Sequence, residues 1–281
     1  MKSLITVLLL LLLAGCASQK TDQLDLLQGT WVEKDKKPLI SPFGQIAGAD
    51  PNIKDQYAVY RYDGFAIINN NYDNLEGFYQ RRKRYNDPSG DLYFSPLTDL
   101  KISGDSILYY NPIKKEFAFK GTVESLTNQS LLLLDGNNVL TEYIKQKNKM
   151  HQTFDRIAIN LSPCFGTCPV FELSIDKNGS VLFDGKQHTV KAGKYRTQLS
   201  PTLIDYLFSK FEQQPILKYK DRYAATFTDA QTTTIKFYKN GRLVKTISDY
   251  AGYSPQELLW AMEPLKKLYL RKDIDWSKIN E

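Results

Sequence analysis

A polar stretch near the middle of the chain, residues 145–153, divides the sequence into two halves with different hydrophobic patterns. Apolar residues recur periodically on both sides of this stretch, whereas the stretch itself is almost wholly polar or charged. Segments of this composition are typical of domain boundaries, and 281 residues are enough for two ordinary domains. The predicted division is a signal peptide at 1–15, a tether at 16–25, a β-rich domain at 26–146, a linker at 147–153 and an α+β domain at 154–281.

The first half consists of short runs of β-branched and aromatic residues that are separated by turn formers. Residues 57–62 and 65–68 are two such runs, and an Asp-Gly pair lies between them. Residues 131–134 and 139–144 flank a turn of Asp, Gly and Asn residues, which predicts a hairpin. Strands at this spacing predict an all-β domain, either a small barrel or a sandwich.

The second half alternates between strand and helix patterns. Residues 178–179 and 240–241 are both Asn-Gly and lie between apolar runs, so each pair predicts a hairpin. Ser200, which is followed by proline, is typical of a helix start, and Ser254 with Glu257 fits a capping box for a second helix. The pattern predicts four strands, a helix, two strands and a helix (ββββαββα), with both helices on one face of an antiparallel sheet.

The amino terminus has the features of a bacterial export signal. Lys2 precedes an apolar stretch, residues 5–13, which is too short to span a bilayer that needs about 20 residues. Cys16 follows Leu-Ala-Gly, and this ending resembles the lipobox of bacterial lipoproteins. The resemblance implies cleavage before Cys16 and acylation of that residue, with fatty chains such as palmitate as the anchor. Ala17, rather than Asp, then implies an outer-membrane lipoprotein that faces the periplasm; an ordinary signal peptide with an incidental cysteine is the alternative.

Cys164 and Cys168 form the sharpest motif of the second half, within residues 162–171. In an oxidising compartment two such cysteines can close a small disulfide loop. Three alternatives remain open. A redox pair usually has two intervening residues at a helix start, a zinc site needs about four ligands, and a nucleophilic cysteine needs a base. Only His151 and His188 are present as histidine partners for the last two.

The motif Cys-Phe-Gly-Thr-Cys-Pro also carries a family resemblance. Together with Asp-Lys-Asn-Gly at residues 176–179, it resembles a domain of unknown function that occurs in bacterial envelope lipoproteins. The resemblance extends from Phe154 to near Trp276 and implies a disulfide between Cys164 and Cys168. It implies no catalytic residue.

A second resemblance concerns the first half of the chain. The Gly-Thr-Trp opening at residues 29–31, with Ile-Leu-Tyr at 107–109 and residues 123–127, resembles the lipocalin-like domains of bacterial lipoproteins. The implied fold is a small barrel with an apolar ligand cavity.

Two further sets of polar residues are candidates for sites. The basic cluster of Arg81, Arg82, Lys83 and Arg84 could contact the phosphates of anionic lipids, although a solvated loop is the alternative. Asp229 could be a site carboxylate, or it could satisfy local backbone donors. Nucleic acid is excluded as a partner, since the chain is predicted to be exported and its small net charge is spread among 31 acidic side chains.

These observations predict a membrane-anchored binding or assembly module that is not an enzyme and has no cofactor or metal. Its expected partners are the lipid bilayer, through Cys16, and a small apolar or glycan ligand held in the barrel. Two alternatives stay open. One is a periplasmic hydrolase in which two carboxylates face each other across a cleft. The other is a thiol-redox lipoprotein that uses Cys164 and Cys168.

Overall fold

A computed structural model describes residues 23–35, 37–39, 59–81, 90–147 and 152–280. The chain forms two compact units. The first unit takes its residues from Met1–Asp35, Tyr62–Leu75 and Leu97–Gln146, and the second from Lys36–Arg61, Glu76–Pro96 and Lys147–Glu281. This division differs from the predicted domain at 26–146, because two segments inserted between strands of the first unit belong to the second.

The chain up to residue 147 contains a short helical turn at residues 23–27 and twelve described strands. The strands are β1 (Gly29–Glu33), β2 (Lys37–Leu39), β3 (Val59–Arg61), β4 (Gly64–Ile68), β5 (Asn71–Asp73), β6 (Tyr79–Gln80), β7 (Leu92–Tyr93), β8 (Leu97–Ser103), β9 (Ser106–Asn111), β10 (Glu116–Leu126), β11 (Ser130–Leu134) and β12 (Leu140–Lys145).

Eight of these strands form a closed antiparallel barrel in the order β1-β12-β11-β10-β9-β8-β5-β4. The sheet closes because β1 pairs with β12 on one side and with β4 on the other, so that no barrel strand is left with an open edge. The prediction of an all-β first half is therefore confirmed, and the barrel is the correct choice of the two architectures. The inserted strands stay outside it, since β2 pairs with β3 and β6 pairs with β7.

The inside of the barrel is filled with large side chains. Trp31, Phe65 and Leu131 are fully buried, and the ring centroids of Phe65 and Tyr143 lie 5.3 Å apart. The indole nitrogen of Trp31 donates to the carbonyl oxygen of Leu27 at 2.7 Å, which ties the helical turn at residues 23–27 to the barrel. Eight-stranded barrels are either filled by side chains or hold one small ligand. The ligand expected in the barrel stays a prediction.

The second unit contains eight further described strands and two helices. They are β13 (Arg156–Leu161), β14 (Val170–Asp176), β15 (Ser180–Gln187), β16 (Gly193–Gln198), α1 (Pro201–Glu212), β17 (Arg222–Ala224), β18 (Thr232–Lys239), β19 (Arg242–Tyr250), α2 (Gln256–Lys266) and β20 (Ser277–Lys278). These strands form one sheet in the order β17-β19-β18-β13-β14-β15-β16-β20.

The α+β architecture is confirmed, but the predicted order ββββαββα is not. The observed order over this region is ββββαβββαβ, because the short strands β17 and β20 occupy the two edges of the sheet. β17 also runs parallel to β19, so the sheet is not purely antiparallel. Strands of two or three residues are too short to show an alternating pattern, and for this reason the sequence did not reveal them.

Both helical segments cover the same face of this sheet. The buried side chains of β13, β14 and β18 are those at alternate positions, such as Ile157, Leu173 and Phe237. Phe211 of α1 packs edge-on against Phe237, with ring centroids 5.4 Å apart. After α2, Tyr269 stacks on Phe183 at 5.0 Å. Burial of this one face holds the unit together.

The two predicted helix starts had different outcomes. Ser200 caps α1 as predicted, because its hydroxyl oxygen accepts from the backbone N–H of Leu203 at 3.3 Å. The capping box at Ser254 is wrong: α2 begins at Gln256, and its cap residue Pro255 has no capping side chain. Instead, the backbone N–H and hydroxyl of Ser254 donate to the carboxylate of buried Asp249, at 3.0 and 3.1 Å.

Both Asn-Gly hairpins are present. Gly179 has a φ of +94° between β14 and β15, and Asn240 and Gly241 have φ values of +53° and +70° between β18 and β19. Glycine and asparagine tolerate this left-handed region, and so they permit the tight turns. Among the described helices, none is long and apolar enough to span a membrane.

Candidate functional site

A cavity of about 240 Å³ lies within the second unit. The inserted β6–β7 pair, the loop between Cys164 and Cys168, and the carboxyl-terminal end of α2 all contribute to its lining. Its ionisable side chains, apart from two tyrosines, are those of Arg81, Asp91, His188, Glu263, Lys266 and Lys267. Converging polar groups in a concave site are the usual mark of a binding or active site.

The wall formed by α2 carries a shared ion pair. Lys266 and Lys267 both contact the carboxylate of Glu263, and the distance from Lys267 Nζ to Glu263 Oε2 is 3.0 Å. The spacing of three and four residues places all three side chains on one side of the helix. Burial alone would raise the pKa of Glu263, but the two ammonium groups outweigh it and hold the pKa at about 2. Glu263 is therefore ionised at neutral pH.

The wall formed by β6 and β7 holds a second acidic group. Asp91 is only 5% exposed, and the phenol of Tyr79 donates a hydrogen bond to its carboxylate. The guanidinium Nε of Arg81 lies 4.0 Å from the same carboxylate. The pKa of Tyr79 is raised, first by burial and then by its hydrogen bond to Asp91. Lys267 connects the two walls, because its Nζ lies 4.7 Å from the centre of the Tyr79 ring.

The loop between the two cysteines forms one rim of the cavity. The structure places the sulfur atoms of Cys164 and Cys168 at bonding distance, with the Cα atoms 5.8 Å apart, within the range that a disulfide requires. Gln231 braces this loop, since its side-chain amide donates to the carbonyl oxygens of Ser162 and Pro169, both at 2.8 Å. The rim is thus held by covalent and hydrogen-bonded contacts.

Only some of the residues singled out in the sequence reach this cavity. Arg81 and His188 line it, and His188 adopts a left-handed φ of +52°. Asp229 does not line it; its exposed carboxylate accepts from the hydroxyl of Thr228 at 3.2 Å, and its carbonyl oxygen accepts from Phe165 N–H at 3.1 Å. The remaining candidates lie outside the described residues: Cys16, Arg82, Lys83, Arg84 and His151.

Sequence reasoning missed most of the cavity. The sequence predicted the last helix from its capping pattern alone, although Glu263 followed by Lys266 and Lys267 is a recognisable ion-pair spacing. Asp91 and Tyr79 had no comparable signal. They lie far from α2 in the sequence, and no periodic pattern indicates that their segment belongs to the second unit.

The barrel contains a separate polar cluster. Lys120 Nζ lies 2.7 Å from the Asp63 carboxylate, and the Tyr143 hydroxyl donates to the same oxygen at 2.7 Å. Burial alone would raise the pKa of Asp63, but Lys120 and the hydrogen bonds outweigh it and lower the pKa. Lys120 also lies 5.0 Å from the centre of the Phe65 ring. These contacts link β4, β10 and β12 across the barrel, so the cluster has a clear structural role.

The acidic side chains of the cavity bear on the hydrolase hypothesis. Asp91 and Glu263 line the same space, which meets one requirement of the hydrolase hypothesis. A general acid must nevertheless carry a proton near neutral pH, and Glu263 does not. Within the described residues, no group of three or more His, Cys, Asp and Glu side chains is arranged to hold a metal ion.

The comparison with protein families identifies one domain. Residues 155–269 match the family described as "Domain of unknown function (DUF6438)". The second unit contains a DUF6438 domain. The predicted domain of unknown function in this half of the chain is therefore confirmed. In a separate comparison, no curated protein matches the chain. His188, Glu263, Lys266 and Lys267 lie inside the DUF6438 domain, whereas the inserted β6–β7 pair that completes the cavity lies outside it.

Proposed function

We propose that the chain is a lipoprotein of the bacterial cell envelope, held at the outer membrane by acyl chains on Cys16 and facing the periplasm. Its DUF6438 domain acts there as a binding module rather than as an enzyme. The Leu-Ala-Gly-Cys ending of the apolar amino terminus supports the anchor. The pairing of Cys164 with Cys168 supports an oxidising compartment, where disulfides persist.

The cavity of the second unit carries the proposal of a binding role. Charged groups from segments far apart in the sequence converge on it. Glu263 stays ionised there because Lys266 and Lys267 lower its pKa by more than burial raises it. Taking such groups partly out of water is costly unless they are paired. These groups are paired with one another, and their convergence on one concave space is typical of a site that binds a polar or charged ligand.

The membrane anchor is tested with a Cys16→Ser variant. We expect the unaltered chain to incorporate labelled palmitate and to enter the detergent phase on partitioning, and we expect the variant to do neither. A Cys164→Ser variant is the matched control and should still be labelled. Equal labelling of the Cys16→Ser variant, or a wholly aqueous unaltered chain, would refute the anchor.

The binding role is tested by thermal unfolding of the purified chain in the presence of neutral sugars, amines, carboxylates, phosphates and apolar molecules. A ligand that binds only the folded state raises the unfolding temperature. We expect at least one of these classes to do so, and we expect a Thr167→Trp variant, which places a large side chain at the cavity rim, to lose the effect. If no class shifts the transition, the binding proposal fails.

A second candidate function is the hydrolase. The observation that favours it is that Asp91 and Glu263 line the same cavity. This alternative requires turnover of an ester, amide or glycoside substrate that disappears in both Asp91→Asn and Glu263→Gln variants. Retention of the turnover in either variant would exclude a mechanism based on the two carboxylates.

A further inference from the structure

The charges that line the cavity of the second unit do not balance. Arg81, Lys266 and Lys267 are cationic, whereas Asp91 and Glu263 are the only acidic side chains among its described lining residues. Even with both carboxylates ionised, one positive charge is in excess. Coulomb interactions strengthen where water is partly excluded, so this excess attracts an anion more strongly than the same charge would on an open surface.

The cationic groups also keep hydrogen-bond donors available. Each ammonium group has three N–H donors, and the contact with Glu263 occupies one of them on Lys266 and one on Lys267. Both side chains are about one-fifth exposed, at 23% and 22%, so neither is sealed off from solvent. Charge-assisted hydrogen bonds from such donors to an oxyanion are among the stronger ones that proteins form.

The cavity offers room for a small ligand. Its volume of about 240 Å³ is well above the roughly 10–15 Å³ that one water molecule needs. The rings of Tyr79 and Tyr269 and the side chain of Leu161 supply an apolar surface for the uncharged part.

We propose that this cavity binds a small oxyanion, either a short carboxylate or a phosphate, with Lys267, Lys266 and Arg81 as the receiving groups. This inference rests on the proposed binding role and names the class of ligand. It differs from the apolar or glycan ligand that the sequence predicts in the barrel. The β6–β7 pair then has a specific task, since it supplies Arg81 to a site whose other cations lie in the DUF6438 domain.

The test is calorimetric titration of the purified full chain in detergent micelles. Inorganic phosphate and succinate are the two anionic probes, N-acetylglucosamine is the neutral probe and methylammonium is the cationic probe. We expect phosphate or succinate to bind saturably at one site, and we expect the Lys267→Gln variant to bind that anion at least about tenfold more weakly. The Lys267→Arg variant should retain most of the affinity.

Lys220→Gln is the matched control, because it removes the same charge from an exposed lysine that does not line the cavity. It should leave the anion affinity unchanged. If Lys267→Gln does not fold, Arg81→Gln serves as the second variant, since it leaves the ion pairs of α2 in place.

The outcomes separate this inference from the proposed function. Binding of the sugar or of methylammonium without binding of either anion would overturn the oxyanion inference and leave the binding role standing. Absence of binding by every probe, or equal weakening in Lys220→Gln and Lys267→Gln, would also overturn the inference. The binding role would then depend on the wider thermal-unfolding survey.

Discussion

The carboxylate of Glu263 provides the most quantitative prediction for this protein. Its pKa of about 2 in the folded chain lies well below its ordinary value of 4.5. A shift of one pKa unit corresponds to about 1.4 kcal/mol, so the ionised carboxylate contributes about 3 kcal/mol to the stability of the second unit at pH 7. The side chain is 21% exposed, so solvent screens its ion pairs only in part. We expect Glu263→Gln to lower the free energy of unfolding by about this amount.

The pH dependence of this contribution has a definite sign. A carboxyl whose pKa is lowered by folding stabilises the protein fully above its unfolded pKa, and the stabilisation is lost as the pH falls through the folded pKa. The difference in unfolding free energy between the unaltered chain and Glu263→Gln should therefore be about 3 kcal/mol at pH 7. It should fall to less than half of that at pH 3, because the unfolded chain binds a proton there while the folded carboxyl is still mostly ionised.

The assay is urea unfolding followed by tryptophan fluorescence. Trp31 belongs to the barrel, whereas Trp260 and Trp276 belong to the second unit, so a Trp31→Phe background restricts the signal to the second unit. Glu172→Gln, at an exposed position of β14, is the control and should change stability by no more than about 0.5 kcal/mol. A difference below about 1 kcal/mol for Glu263→Gln at pH 7, or one that does not change with pH, would refute the reasoning.

Three further predictions concern the second unit, and each is checked by urea unfolding at pH 7. Ser200→Ala removes the cap of α1 and should cost about 1 kcal/mol, whereas Ser200→Asp should cost little. Asp249→Ala leaves the buried donors of Ser254 unpaired and should cost about 1–3 kcal/mol; an unchanged midpoint would show that water replaces the carboxylate. Cys164→Ser with Cys168→Ser should cost about 2 kcal/mol if the disulfide forms, and a strongly oxidising reduction potential of the pair would instead support the thiol-redox alternative.

The features that the sequence predicted correctly are those set by local chemistry. The Asn-Gly pairs at 178–179 and 240–241 produced hairpins because Gly179, Asn240 and Gly241 adopt left-handed backbone angles at little cost. Ser200 produced a cap because its hydroxyl reaches a backbone N–H only three residues away. The short β-branched and aromatic runs of the first half, separated by turn formers, likewise predicted strands. The closure of those strands into a barrel then follows from the pairing of β1 with both β4 and β12.

The features that only the tertiary structure decided depend on residues far apart in the chain. Ser254 has the residue type of a cap, but the buried carboxylate of Asp249 takes its donors, so α2 begins without a capping side chain. The cavity requires Arg81 and Asp91 to lie beside α2. More than half of the sequence separates these two residues from that helix. Periodicity and turn chemistry report on a few neighbouring residues, whereas burial and charge pairing depend on which surfaces meet after folding. For this reason the sequence indicated the kinds of elements, and the packing of the inserted β6–β7 pair within the second unit created the candidate site.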